Sequence, residues 1–131
     1  MGNIRILCLV LLAGIFCVEA VDLTELYNQK VVYAQEVRRS MLSRGSLIYH
    51  TGVLVTTESM GQWLVHKGNE YGDESETVVV DSSYMSSAWT YHDSKSISHS
   101  TVADYVAAGG PDYNLITDNC MHAVARMMAL N

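Results

Sequence analysis

Ser46-Leu47-Ile48-Tyr49-His50-Thr51-Gly52-Val53-Leu54-Val55-Thr56, then Thr57-Glu58-Ser59-Met60-Gly61, then Gln62-Trp63-Leu64-Val65-His66-Lys67 is the stretch that decides the fold. Its first and last parts are rich in Val, Leu, Ile, Thr and aromatic residues, which reads as two strands. The polar piece between them fits a short hairpin loop, with Gly61 able to take the left-handed conformation of a bulge. His50 and His66 lie an even number of residues apart, one on each strand. Directly opposed residues of an antiparallel pair share a face, so an odd loop such as Glu58-Ser59-Met60 sets both imidazoles on one face. A two-residue loop sets them on opposite faces, because a slip of one residue turns every side chain over.

Upstream, Leu23, Leu26, Tyr27, Val31, Ala34, Val37 and Met41 recur at spacings of three and four. That period predicts a helix over Asp22 to Arg44, with Asp22 and Glu25 as a capping box and Gly45 closing it. Downstream, Gly68 to Glu76 is acidic and polar, a solvated loop, and Thr77 to Asp81 around Val78-Val79-Val80 is a third strand. Ser82 to Ser100 shows no period and is expected to be irregular. A short helix over Thr101 to Ala108, capped by Ser100, ends at Gly109-Gly110-Pro111. Asp112 to Thr117 is expected as a short strand and Asn119 to Leu130 as the closing helix. The fold class is therefore α+β, a small antiparallel sheet packed against helices.

Met1 to Ala20 has the form of a secretory signal peptide: a basic start at Arg5, an apolar run from Ile6 to Cys17, and a small-residue cleavage site at Val18-Glu19-Ala20. The apolar run is short of the roughly 17 to 25 residues that cross a bilayer, so stable membrane insertion is not expected. Residues 21–131 then make one domain, secreted and extracellular. The chain carries a net charge of −6 without basic clusters, which argues against nucleic acid as a partner.

Cys8 and Cys17 depart with the leader, which leaves Cys120 alone. A lone thiol in a secreted domain is an inert buried side chain, a link to another chain, or a nucleophile. Cys120 lies where a strand-like run turns into a helix-like run, and that placement favours the nucleophile. At a helix N-terminus a thiolate meets unpaired N–H groups and the positive end of the dipole, and those groups also suit an oxyanion. A thiol nucleophile works best beside an imidazole, itself oriented by a third group. His50 and His66 on the hairpin are the candidates; His122 is placed to pack or cap, and His92 and His99 lie in polar surface sequence. No Cys-x-x-Cys or His-x-x-x-His pair appears, so no metal or other cofactor is expected.

Tyr49-His50-Thr51-Gly52-Val53, Leu64-Val65-His66-Lys67-Gly68 and the late Asn119-Cys120-Met121-His122 together resemble the circularly permuted papain-like proteins of the NlpC/P60 superfamily. His66 and the Asn119-to-His122 run look like the lecithin:retinol acyltransferase branch, with Ala123 where that branch has Phe. His50-Thr51-Gly52-Val53 and Asn69-Glu70-Tyr71-Gly72 look like the PPPDE-type isopeptidases. The resemblance implies Cys120 as nucleophile, His50 as general base and His66 as the orienting member. It implies a thiol hydrolase or acyltransferase working through an acyl-cysteine on a peptide, lipid or small amide or ester. The alternative is a non-catalytic secreted binding or defence protein that keeps the fold, with Trp63, Trp89, Tyr84 and Tyr91 available as a recognition surface.

Overall fold

A computed structural model describes residues 5–11, 14–20, 22–41, 48–68 and 76–131. The hairpin is its centre. Strand β4 (Tyr49–Thr57) pairs antiparallel with β5 (Gln62–Lys67), in a register running from Gly52 opposite His66 to Thr56 opposite Gln62. Thr57 N donates to Gly61 O at 2.9 Å and Met60 N to Thr57 O at 2.8 Å, so the loop proper is Glu58-Ser59-Met60. Three is odd, and His50 and His66 accordingly share a face. Met60, with φ of 68°, takes the left-handed conformation expected of Gly61.

The long helix expected over Asp22 to Arg44 does not form. Asp22 does cap a helix, accepting from Thr24 N at 2.8 Å, but α1 (Leu23–Asn28) lasts six residues. The chain then enters β3 (Val31–Ser40), which pairs with β4 on one side and with β7 (Trp89–Ser96) on the other. The three-residue spacing of Val31, Ala34 and Val37 has two causes, neither helical. The register against β4 shifts between Val31 and Tyr33, so Val32 is a bulge residue and Val31 and Ala34 fall on the same face. Val37 points the other way, into a second apolar layer. A sheet buried on both faces hides its period of two. Arg44 and Gly45 lie outside the described residues, as does most of the loop expected over Gly68 to Glu76.

The five-stranded sheet has the order β6-β5-β4-β3-β7, with β6 (Thr77–Asp81) where the third strand was expected. Within the stretch expected as a leader, β1 (Arg5–Leu11) and β2 (Gly14–Ala20) pair as a separate two-stranded sheet. Residues 82–100 are more ordered than expected: a 3-10 turn at Ser82–Tyr84 leads into β7. Strand β7 escapes a periodicity reading because it is an edge; Trp89 is buried while Thr90 to Ser94 are all exposed. His92, Asp93 and Lys95 blunt that edge with polar and charged groups.

Helices α2 (Val102–Gly109) and α3 (Cys120–Met128) cover one face. There Val31, Ala34, Val53, Val55 and Val65 meet Tyr105, Ala123 and Met127 in the main core. The opposite face carries Val37, Leu54 and Leu64, closed over by Trp89 with Val80 and Met85. The cap of α2 is Thr101 rather than Ser100, in a reciprocal capping box with Asp104. Asp112 to Thr117 is a turn, not a strand, because Asn114 Oδ1 accepts from both Ile116 N and Thr117 N and curls the backbone. The α+β class, a small antiparallel sheet packed against helices, is what the chain adopts. No helix among the described residues is long and apolar enough to cross a membrane.

Candidate functional site

The imidazole pair forms where β4 and β5 end. His50 Nε2 and His66 Nδ1 are 3.0 Å apart, so one ring donates and the other accepts. The rings meet edge to face at 5.1 Å between centroids, and the His50 ring also meets the indole of Trp89 at 5.8 Å. Gly52, opposite His66, leaves the room this needs; a Cβ there would stand 2.9 Å from the His66 Cβ. Both histidines are buried. Burial, and then the nearby Arg39 charge, pushes His50 down to about 4. His66 is likewise pushed to about 4, by burial first, then by His50 and Arg39. At neutral pH the pair is uncharged.

Cys120 opens α3. Asn119 is the cap, accepting from Met121 N at 2.9 Å and His122 N at 3.3 Å, while His122 Nδ1 accepts from Asn119 N. His122 therefore serves the capping box, in keeping with its expected role. One residue earlier, Asp118 is gripped by Lys67 Nζ at 2.9 Å and Arg126 at 2.7 Å. Those two bonds, Lys67 first, hold its carboxyl below the usual range. The fully buried Lys67 also donates to Gly109 O at the end of α2, as does Arg126. The three side chains thus lock β5, the end of α2 and the start of α3 together. Burial first, and then the electrostatic influence of Cys120, push the Tyr113 hydroxyl up.

The histidines and the thiol are not brought together. Along β4, Thr51, Val53 and Val55 face the helices, while His50, Gly52 and Leu54 face away. His66 alternates with Val65 in the same way. Helix α3, with Cys120 at its start, lies on Val53, Val55 and Val65, on the other side of the sheet from the two rings. Among the described residues no hydrogen bond reaches from the Cys120 sulfur to either imidazole. The expected triad Cys120, His50 and His66 is therefore a histidine pair on one face and a buried cysteine on the other. The aromatic surface does not assemble either, since Trp63 packs on the helix-side core and Trp89 on the opposite one. Among the described residues no group of three or more His, Cys, Asp or Glu is arranged to ligate a metal.

What the helix face does offer is a groove of about 220 Å³ between the sheet and α3. One wall is Glu36, Arg38, Tyr49 and Thr51; the other is Met121, Val124, Ala125 and Met128. Arg38 Nε donates to Glu36 Oε1 at 2.6 Å, and its guanidinium lies over the Tyr49 ring at 4.9 Å. Reading β3 as a helix hid this pair, because only on a strand do residues two apart share a face.

No protein-family model, curated protein or solved structure matches this chain.

Proposed function

We propose that this domain acts by binding a ligand rather than by covalent catalysis, the groove on its helix face being the site. The observation that carries this reading is the placement of His50 and His66 on the sheet face opposite α3. A general base must come within hydrogen-bond reach of the proton it takes, directly or through one water. Here each imidazole spends a nitrogen on the other, and the helix that Cys120 opens packs on the opposite face of the sheet. Cys120, 8% exposed, is then a packing residue, as free cysteines commonly are. The composition of Met1 to Ala20 supports reading the domain as secreted.

The test is intact-mass analysis of the folded protein after exposure to electrophilic acyl probes and to iodoacetamide at neutral pH. Binding without catalysis expects Cys120 to stay unmodified until denaturant is added. Acylation of Cys120 in the folded chain, abolished by His50→Ala, would overturn the reading and restore the thiol hydrolase or acyltransferase that the NlpC/P60 resemblance implies.

A further inference from the structure

We propose that the groove between the β3–β4 face and α3 takes a free apolar α-amino acid in its zwitterionic form. Three features of the groove point to that one class. The polar wall holds both signs of charge on side chains two residues apart on one strand, Glu36 and Arg38. Neither is used up by the other. Arg38 spends only its Nε on Glu36, and its terminal nitrogens donate to no described atom, so their fork stays open to a carboxylate. The Tyr49 ring beneath holds the guanidinium plane in place. Among the described residues Glu36 accepts through Oε1 alone, which leaves its Oε2 to receive an ammonium group.

The facing wall is apolar. Met121, Val124, Ala125 and Met128 follow the spacing of one helix stripe, and Met121 is 51% exposed at its rim. The volume sets the size. At about 220 Å³ the groove lies below the 300–1,000 Å³ of drug-sized pockets. That suits one side chain of Leu, Met or Phe size with its own amino and carboxylate ends. A simple carboxylate would leave Glu36 Oε2 without a donor and a simple amine would leave the Arg38 fork without an acceptor, so only the zwitterion satisfies both.

This inference rests on the binding reading above, and calorimetric titration of the full chain with L-phenylalanine tests it. Saturable binding is expected in the millimolar range, about −4 kcal/mol at ~1 mM. The analogue without the ammonium group, 3-phenylpropionate, and the one without the carboxylate, phenethylamine, should each bind at least ~10-fold more weakly. Ala125→Phe, at an exposed position of α3, should fill the groove and abolish binding without lowering the thermal midpoint. Arg38→Leu should cost ~10-fold or more. No saturable heat at ~10 mM L-phenylalanine, either analogue binding as well as the amino acid, or undiminished binding by Ala125→Phe overturns the assignment. A blank titration with Cys120 still inert to acyl probes removes this ligand class and leaves the binding reading. Acylation of Cys120 removes the reading itself.

Discussion

At the residue scale, the buried imidazoles are the most consequential pair in the molecule, because their burial links stability to pH. Both are neutral in the fold and pushed to about 4, below the ordinary 6.5. A histidine whose folded value is lowered leaves the unfolded chain binding more protons between the two values. Its contribution is complete above pH 6.5 and is lost as pH falls toward 4. Arg39, whose guanidinium lies 5.3 Å over the Trp89 ring, adds positive charge that opposes protonation from the same side of the sheet. Thermal melts should therefore show a midpoint that is flat from pH 8 to 7 and falls between pH 6.5 and 4, by on the order of 2 kcal/mol of stability. In a His50→Gln/His66→Gln double variant the slope in that window should shrink. An unchanged slope would mean that other groups carry the acid response.

At the element scale, the hairpin and the start of α3 each hold one device with a measurable cost. Met60 sits at φ of 68°, where an L residue with a side chain is strained and glycine is not. Met60, 75% exposed, loses no packing when replaced, so Met60→Gly should raise stability by ~0.5–1 kcal/mol in urea unfolding. The Lys67–Asp118–Arg126 lock behaves differently. Asp118→Asn leaves the ammonium of a fully buried lysine without its counter-charge, and should lower the thermal midpoint clearly. Adding Lys67→Met removes that charge, so the double variant should recover part of the loss, which a double-mutant cycle reads directly. The same elements show what was legible in advance. Strands β4, β5 and β6 and helices α2 and α3 could be read from the chain because β-branched runs and capping residues mark them locally. Strand β3 could not, because the Val32 bulge and burial on both faces imitate a helical spacing. Strand β7 could not, because a polar edge carries no pattern. The candidate triad failed for a related reason. The sequence left the loop parity open, and the odd loop that forms sets His50 and His66 on one face; which face α3 covers depends on contacts between elements far apart in sequence.

At the scale of the whole molecule, the sheet is a partition. Its helix side carries the main core, the buried thiol and the groove; its other side carries the imidazole pair under Trp89. Moving His50 and His66 to the helix side would need a one-residue slip of both strands, which would also exchange Val53, Val55 and Val65 for Gly52, Leu54 and Leu64 in the main core. The partition is thus held by every apolar residue of the two strands together, not by the histidines. That has a consequence for how the protein opens. Strands β3, β4 and β5 each have a paired neighbour on both sides and apolar contacts above and below, whereas β6 and β7 are edges among the described strands. Native-state hydrogen exchange should place the amides of Val53 to Val55 and Leu64 to Val65 at the full unfolding free energy. The amides of β7 beyond Trp89 should exchange through openings smaller by several kcal/mol. If β4 and β5 instead exchange as readily as β7, the two faces open independently and the sheet does not hold the imidazoles apart from the thiol in solution.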